Sequence, residues 1–206
     1  MIKKNINISV VITTFNEKKN LYSTVKSLIN QTILPDEIII SEGGSIDLTK
    51  MIINDLIKKY KNIKIILREK KCRGGGRNEG IKQSQNDYIA IIDAGAIAKK
   101  NWIEEFIKIF NSNQNAEIIY GSVKPIRNNS FSRNVANIIT GKNIQNFKIS
   151  KSISSIFLKK KVWSKVGGFV ESKDDSYVVE DLRFLESLLK FKTNSYYSSE
   201  SIVYWA

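Results

Sequence analysis

The chain has 206 residues, of which 42% are hydrophobic and 26% charged, as in a single globular domain with a sizeable core. It contains no histidine and only one cysteine, Cys72. This composition excludes histidine general bases, Ser-His and Cys-His nucleophile pairs, histidine-ligated or multi-cysteine zinc sites and an intramolecular disulfide. We therefore expect any acid–base chemistry to rest on carboxylates.

The formal net charge is +13 at pH 7. This charge fits a polyanionic partner, such as nucleic acid, an anionic membrane face or a phosphate-rich substrate. It equally fits a lysine-rich coding bias without functional meaning. No stretch reaches the roughly 18 apolar residues of a membrane span, and the N-terminus lacks the apolar core of a signal peptide. We expect a cytoplasmic protein that is soluble or lies at the inner face of the membrane.

The first part of the chain alternates between two patterns. Short β-branched runs typical of buried strands occur at 8–13, 37–40, 63–67, 88–92 and 117–120. Helical patterns lie between them, at 21–29, 51–57, 77–84 and 102–110. A loop is predicted over 68–76. The alternation predicts an α/β fold with a mostly parallel sheet and helices on both faces.

The last part of the chain carries weaker signals. Residues 124–151 are rich in Asn, Ser and Lys, and we assign them to an acceptor-side segment. Order returns with further predicted elements: a strand at 155–158, a basic turn at 159–161, a helix at 180–190 and a strand that begins at 202. In this helix four leucines are predicted to point inward: Leu182, Leu185, Leu188 and Leu189.

No internal repeat and no firm domain boundary is visible in the sequence. We expect one domain over 1–206, with a donor-binding part at about 1–122 and an acceptor-side part at about 123–206. The last predicted strand stops at the end of the chain, so we also expect a C-terminal truncation. Trp205 in that strand could be an acceptor-side residue or the core anchor of the strand, and we favour the core.

Polar segments follow three of the predicted strands. They read TTFNE, SEGGS and DAG. Ligands of open parallel sheets bind beyond the C-terminal ends of the strands, which makes these residues candidates for a site. Phe15 could stack on a nucleobase, Glu42 could accept hydrogen bonds from a base, and Gly44 permits close approach of a ligand. Each also has a plain explanation, as a core-packed loop aromatic, a solvated turn residue or a tight turn.

The segment RGGGRN, which starts at Arg73, combines flexible backbone amides with two guanidinium groups. This combination suits a diphosphate, which accepts hydrogen bonds from backbone N–H groups and from arginine. The segment is neither a Walker loop nor a GxGxxG fingerprint that opens the first helix. A glycine-rich hinge explains it equally well.

Carboxylates occur at two further positions with chemical potential. Asp93 ends a buried strand, where it could bind a divalent cation that also holds substrate phosphates, or simply turn the chain. Glu180 and Asp181 open a helix, where carboxylates are common because they favour the positive end of the helix dipole. In a chain without histidine, Asp181 could also take the proton from an attacking hydroxyl.

Six segments in this order resemble the family-2 glycosyltransferases with the GT-A fold, and the resemblance runs from Ile8 to about Trp205. The segments are SVVITTFNEKKNL, EIIISEGGSIDLT, RGGGRNEGI, YIAIIDAG, FLKKKVWSKVGGF and VVEDLRF. Each is loose alone, but their joint order and spacing are specific.

The resemblance implies an inverting transfer of a sugar from a nucleoside-diphosphate sugar to the hydroxyl of a glycan, polysaccharide or lipid-linked acceptor. Asp181 would be the base with Glu180 beside it, and Asp93 would bind Mg²⁺ or Mn²⁺ or the ribose. The implied donor-binding residues are Thr13, Thr14, Phe15, Glu17, Glu42, Gly44, Arg73, Arg77, Asp93, Ala94 and Gly95. We also expect the basic turn at 159–161 to favour contact with an anionic membrane.

Two departures from the family pattern stand out. Gly95 replaces the second acid of Asp-x-Asp, which puts metal dependence in doubt, and Glu42 stands where Asp is usual. A non-catalytic nucleotide-sugar-binding scaffold of the same fold is therefore an alternative. A nucleotidyltransferase is a second alternative, but it would carry a glycine-rich loop after the first strand, and TTFNE has no glycine. Nucleic acid is not an expected partner, since the basic residues are scattered through every helix.

Overall fold

The computed structural model describes residues 6–68, 72–126, 152–171 and 179–205, and its strands form one sheet. The strands are β1 (Ile8–Thr14), β2 (Glu37–Glu42), β3 (Ile63–Leu67), β4 (Tyr88–Asp93), β5 (Ala96–Ala98), β6 (Ile118–Pro125), β7 (Ile156–Lys159) and β8 (Ser195–Trp205). The helices are α1 (Leu21–Ile29), α2 (Thr49–Lys59), α3 (Arg73–Gln83), α4 (Trp102–Ser112), α5 (Lys160–Lys165) and α6 (Glu180–Lys190).

The described strands lie in the order β3-β2-β1-β4-β7-β6-β8-β5. β1 pairs in parallel with β2 and β4, and β2 pairs in parallel with β3. β7 runs antiparallel to β4 and β6, and β5 runs antiparallel to β8, which is parallel to β6. Six of these eight strands point the same way, so the predicted mostly parallel sheet is confirmed.

Helices cover both faces of the sheet, as predicted, because β1 alternates its side chains between two cores. Val10 and Ile12 point into a core closed by α1, α2 and α4. Val11 points to the opposite face, where α3, α5 and α6 cover a second core. Burial on both faces is the reason that β1 reads as a continuous apolar run. Each large apolar side chain buried in this way contributes roughly 1.5–3 kcal/mol.

Helix α3 begins four residues earlier than predicted, at Arg73 instead of Arg77, so the predicted loop over 68–76 was wrong at its end. The thiol of Cys72 accepts a hydrogen bond from the Gly75 N–H at 3.3 Å and caps this helix. A Cβ added at Gly76 would lie 2.9 Å from the Cγ2 atom of Thr13. The glycines are therefore a sign of a helix that approaches the sheet very closely, since no side chain fits between them.

Three other predictions differ from the structure. The basic turn at 159–161 is instead the junction of β7 and α5, and β5 was not predicted. In α6 the side chains of Leu182 and Leu189 are 61% and 58% exposed. The buried face consists of Glu180, Phe184 and Leu188, which are spaced four residues apart and thus share one side of the helix.

Most of the acceptor-side segment predicted at 124–151 lies outside the described residues, which stop at 126 and resume at 152. None of the helices that the structure describes is both long and apolar enough to cross a membrane.

We predict that Gly121→Ala destabilises the fold by about 1–3 kcal/mol, the usual cost of overpacking a core. A Cβ at Gly121 would overlap with the Ser155 hydroxyl and the Ser201 carbonyl oxygen. Urea unfolding measures the effect. Ser199→Ala, an exposed position in β8, is the control and should change stability by no more than about 0.5 kcal/mol. An unchanged urea midpoint for Gly121→Ala would contradict the prediction.

Candidate active site

The C-terminal ends of β1, β2 and β4 border a pocket of about 330 Å³. Seven residues of the predicted donor set line it, namely Thr13, Thr14, Phe15, Glu17, Arg73, Asp93 and Ala94. Six residues outside that set also line it, namely Ser41, Gly43, Arg68, Cys72, Gly76 and Trp205. Trp205 packs against the first core as well, in agreement with its predicted place. The pocket lies where the ligand of an open parallel sheet is expected.

One wall of the pocket is the TTFNE turn, which is locked to the segment after β2. The N–H of Asn16 donates to the Ser45 hydroxyl at 2.8 Å, and the N–H of Glu17 donates to the Thr49 hydroxyl at 2.8 Å. Asn16 adopts φ of 54°, a left-handed conformation that Asn tolerates better than most residues. These bonds hold the Asn16 and Glu17 backbone in place, so the wall is preorganised.

Glu42 does not line this pocket. Its side chain is fully buried, and it accepts hydrogen bonds from the N–H groups of Ser45 at 2.5 Å and Gly44 at 3.1 Å. The Lys50 ammonium lies 3.8 Å away. The carboxylate therefore holds the turn behind the wall. Gly44 also lies outside the pocket lining, with φ of 84° in this turn.

Behind the pocket lies a buried charge cluster centred on Arg77, whose side chain is 1% exposed. One terminal nitrogen donates to Asp93 at 2.8 Å, and the other contacts Glu180 at 3.2 Å and Asp181. Arg73 also reaches Glu180, with its Nε atom at 3.2 Å. The fork of the guanidinium thus joins the end of β4 to the first turn of α6.

Contacts between α3 and the segment before α6 fix the position of Arg77. Its guanidinium lies 5.3 Å from the centre of the Phe169 ring, within the range of a cation–π contact. The neighbouring Asn78 accepts hydrogen bonds from the indole of Trp163 at 3.0 Å and from the Phe169 N–H at 2.8 Å. The Asn78 amide also donates to the Phe169 carbonyl at 2.8 Å. The Arg-Asn pair therefore ties α3 to the segment before α6.

The pKa values of two carboxyls in this cluster shift in opposite directions. Burial opposes the ionisation of Asp93, but the Arg77 guanidinium and a 2.5 Å hydrogen bond from Ser154 outweigh it and lower the pKa of Asp93. Burial, together with repulsion from Asp93 and Glu180, raises the pKa of Asp181 to about 6, and attraction by Arg77 only partly offsets these effects. Asp93 thus stays ionised, while Asp181 can gain and lose a proton near neutral pH.

Two buried hydroxyls in the pocket lining have no hydrogen-bond partner among the described residues. They belong to Thr14, which is 5% exposed, and to Ser41, which is 2% exposed. Buried hydroxyls are nearly always hydrogen-bonded in native proteins. Their position in the pocket wall indicates that a ligand with polar atoms supplies the partners.

Among the six lining residues outside the predicted set, Ser41 and Arg68 occupy positions in the sequence that indicate ligand contact. Each stands at or just after the C-terminal end of a predicted strand, where ligand contacts are expected. Gly76 belongs to the RGGGRN segment that was predicted to suit a diphosphate, whereas Cys72 carried no comparable signal. Gly95 lies outside the lining, and its φ of 97° is a conformation that favours glycine.

The fit of the site for a divalent cation rests on its donor atoms. Among the described residues no group of three or more Asp, Glu or Cys side chains could hold a metal. Asp93 would be the ligand, but one of its oxygens accepts from Arg77 and the other from Ser154. The conformation of Gly95 would strain an acidic residue in its place. The side chains of this part of the chain therefore do not fit a cation held by the protein.

The raised pKa of Asp181 generates a prediction about stability. Because its pKa is about 6 in the folded chain and 3.8 ordinarily, ionisation of this carboxyl costs folding free energy as the pH rises through that window. We expect Asp181→Asn to raise the melting temperature at pH 8, on the order of 3 °C, and to leave it nearly unchanged at pH 3.5. Differential scanning calorimetry measures both.

Glu186→Gln is the matched control on the same helix. The hydrogen bond from Lys190 lowers the pKa of Glu186, so its loss should slightly destabilise the chain at pH 8 or have no effect. A lower melting temperature for Asp181→Asn at pH 8 would show that the attraction of Arg77 outweighs burial and repulsion.

Known proteins resemble this chain in sequence. The profile of the family described as "Glycosyl transferase family 2" matches residues 9–170. A Methanococcus voltae protein named "Dolichyl N-acetyl-alpha-D-glucosaminyl phosphate 3-beta-D-2,3-diacetamido-2,3-dideoxy-beta-D-glucuronosyltransferase" is 35% identical over 107 residues, which are 50% of this chain and 33% of that relative. The match therefore spans only about a third of the relative's length.

Solved structures share the fold. Staphylococcus aureus TarS in complex with UDP-GlcNAc superposes with a TM-score of 0.76 at 18% identity, over 97% of this chain and 58% of that one. A mannosyltransferase from Pyrobaculum calidifontis in complex with GDP-Man and Mn²⁺ has a TM-score of 0.76 at 11% identity, over 98% and 57%. The expected GT-A fold is thereby confirmed. Since the family profile covers most of its length, this chain belongs to glycosyl transferase family 2.

Proposed function

We propose that this chain is the catalytic domain of an inverting glycosyltransferase, which transfers a sugar from a nucleoside-diphosphate sugar to an acceptor hydroxyl. The observation that carries the proposal is that two carboxyls bound to Arg77 have pKa values shifted in opposite directions. Asp93 stays ionised, and Asp181 titrates near neutral pH. Membership in the family and the complex of TarS with UDP-GlcNAc support a nucleotide-sugar donor.

The donor lies in the 330 Å³ pocket, within the part of the chain at about 1–122. Phe15 and Glu17 lie in its preorganised wall. Beside them, the hydroxyls of Thr14 and Ser41 have no partner in the described segments and would bond the nucleoside or its phosphates. Arg73 faces the same space with a mostly exposed guanidinium. Glu42 acts indirectly, because its oxygens hold the turn behind this wall.

Asp181 is the general base. Its side chain is 37% exposed, so an acceptor hydroxyl can reach it, and its raised pKa makes it a stronger base than an ordinary Asp. The acceptor oxygen attacks the anomeric carbon opposite the leaving nucleoside diphosphate, and Asp181 takes its proton. Attack on the opposite side inverts the anomeric configuration. Glu180 holds Arg73 and Arg77 and is a positioning residue.

The family resemblance predicts Mg²⁺ or Mn²⁺ at Asp93, and the Pyrobaculum calidifontis mannosyltransferase was solved with Mn²⁺. That cation belongs to the other protein. In this chain both oxygens of Asp93 already accept hydrogen bonds, and the described side chains do not fit a protein-held cation. No step of the proposed mechanism therefore depends on a metal.

A non-catalytic scaffold with the same fold remains the alternative, because Gly95 stands where the family pattern has an acidic residue. The raised pKa of Asp181 favours an enzyme, because a scaffold has no need to retain a destabilising carboxyl next to Asp93, which lines the pocket. The nucleotidyltransferase alternative has no such observation in its favour.

The decisive experiment compares donor binding with turnover. A panel of UDP-, GDP- and dTDP-sugars is titrated by calorimetry, and release of the nucleoside diphosphate is followed with dolichyl N-acetylglucosaminyl phosphate as the acceptor probe. We expect one donor to bind selectively. Asp181→Asn should retain this binding and lose about 10²- to 10⁴-fold in turnover, the usual contribution of a general base.

Glu186→Gln removes a carboxylate from the exposed face of the same helix and should retain both binding and turnover. Full turnover by Asp181→Asn would exclude it as the base. Selective donor binding without turnover, by wild type as well, would favour the scaffold.

The acceptor-side part, at about 123–206, carries Asp181 on α6. The acceptor is a glycan, a polysaccharide or a lipid-linked sugar, and the dolichyl phosphate in the name of the Methanococcus voltae relative supports the last. Contact with an anionic membrane is supported by the exposed Lys161 and Lys165 on α5. The Lys165 ammonium lies 5.7 Å from the ring of the exposed Phe191, so charge and apolar surface adjoin there.

We predict that the chain sediments with vesicles that contain phosphatidylglycerol and not with pure phosphatidylcholine vesicles. The double variant Lys161→Gln, Lys165→Gln should lose several-fold in vesicle affinity, since each basic residue near the surface contributes roughly 1 kcal/mol. Lys58→Gln, Lys59→Gln on α2 is the charge-matched control, and it should bind like wild type. Equal binding to both vesicle types would contradict membrane contact.

A further inference from the structure

We infer that this chain binds the diphosphate of its donor without a divalent cation, by means of Arg73, Arg68 and the N-terminus of α3. The inference rests on the proposed function, because it concerns the same pocket. It also departs from the expectation of Mg²⁺ or Mn²⁺ at Asp93.

The charge around Asp93 disfavours a cation. Its carboxylate is paired with the buried guanidinium of Arg77 at 2.8 Å, and the Ser154 hydroxyl donates a hydrogen bond to the second oxygen at 2.5 Å. A divalent cation on either oxygen would sit near a guanidinium that is 1% exposed and cannot move into water. Repulsion between like charges is poorly screened in such a site. Arg77 already supplies the positive charge that a metal would bring to this carboxylate.

The charge of the pocket lining favours an anion. Arg68 and Arg73 contribute two positive charges, and Glu17 and Asp93 contribute two negative ones. Arg77 pairs with Asp93 from behind. Arg73 contacts Glu180 but keeps a side chain that is 62% exposed, so Arg68 and Arg73 are available to an anion in the pocket. Burial raises the pKa of Glu17, which disfavours its ionised form. A diphosphate therefore does not require a cation to enter this pocket.

The backbone of α3 adds donors for phosphate, because the first turn of this 11-residue helix borders the pocket. The positive end of its dipole and its first N–H groups favour phosphate oxygens. Gly76 lines the pocket in this turn, and a Cβ there would lie 3.2 Å from the Ser41 hydroxyl, so Ser41 lies beside the turn. The side chain of Arg68 braces the same turn by donating to the Cys72 carbonyl at 2.8 Å.

An independent observation indicates that a ligand belongs here. The Ser41 and Thr14 hydroxyls are more than nine-tenths buried, line the pocket and have no hydrogen-bond partner in the described chain. Ser41 faces Gly76 in the first turn of α3, so a ligand bound at this turn would satisfy it. Such a ligand must offer polar atoms, as a diphosphate or its ribose does.

The test is calorimetric titration of the whole chain with UDP and with GDP, in excess EDTA and in excess Mn²⁺. We expect at least one nucleotide to bind with affinities that agree within about twofold in the two buffers, because no cation bridges protein and phosphate. Arg73→Gln should weaken this binding by about tenfold in both buffers, as expected for the loss of a charge-assisted hydrogen bond.

Two further variants separate a ligand contact from a structural effect. Lys82→Gln removes one positive charge from the other end of α3 and should bind the nucleotide like wild type. Ser41→Ala should weaken binding several-fold while its melting temperature stays equal or rises, because the lost hydroxyl has no partner within the part of the chain that the structure describes. A Ser41→Ala variant or an Arg73→Gln variant with wild-type affinity would remove that residue from the site.

The remaining outcomes distinguish the inference from the proposed function. Nucleotide binding that occurs in Mn²⁺ and disappears in EDTA overturns the inference and leaves the glycosyltransferase proposal intact. Absence of binding in both buffers, by protein that unfolds cooperatively, overturns both.

Discussion

The guanidinium of Arg77 is buried at the junction of α3, β4 and α6, and its hydrogen bonds to Asp93, Glu180 and Asp181 hold these elements together. A buried charge is tolerated only when it is paired with an opposite charge. Here the guanidinium depends on the carboxylates, and the carboxylates in turn depend on the guanidinium. Removal of Arg77 would leave three carboxylates close together, and among the described residues Arg73 alone contacts one of them through an ion pair. The position of α6 relative to the parallel strands thus depends on this side chain as well as on the packing of Phe184 and Leu188 in the second core.

The same cluster explains how the site obtains its chemistry. One guanidinium cannot neutralise three carboxylates, so the pKa of Asp93 is lowered and that of Asp181 is raised to about 6. Hydrogen bonds from Arg77 and Ser154 stabilise the ionised form of Asp93. Burial and repulsion from the other carboxylates destabilise the ionised form of Asp181. A chain without histidine acquires in this way a group that exchanges protons near neutral pH. The cost is a carboxylate that opposes folding when it is ionised.

The elements that the sequence predicted well share a simple physical basis. The strands β1 to β4 are buried on both faces, so their β-branched runs are continuous and unambiguous. Their C-terminal ends then locate Thr14, Phe15 and Asp93 without further information. The start of α3 was missed because glycine indicates a loop as readily as a close helix–sheet contact. The inward face of α6 was misassigned because Leu182 and Leu189 are apolar in sequence and exposed in the fold.

By itself the sequence determined the α/β class, the family and the type of each candidate group, because these follow from periodicity, motif order and the absence of histidine. Only the tertiary structure decided what the groups do. Arg77 was expected beside the donor, but the fold buries it behind the pocket. Glu42 was expected to contact the nucleobase, but both its oxygens accept hydrogen bonds from the backbone of the turn that follows β2. Pairing between residues about a hundred positions apart sets the charges of the site, and no local pattern encodes such pairing.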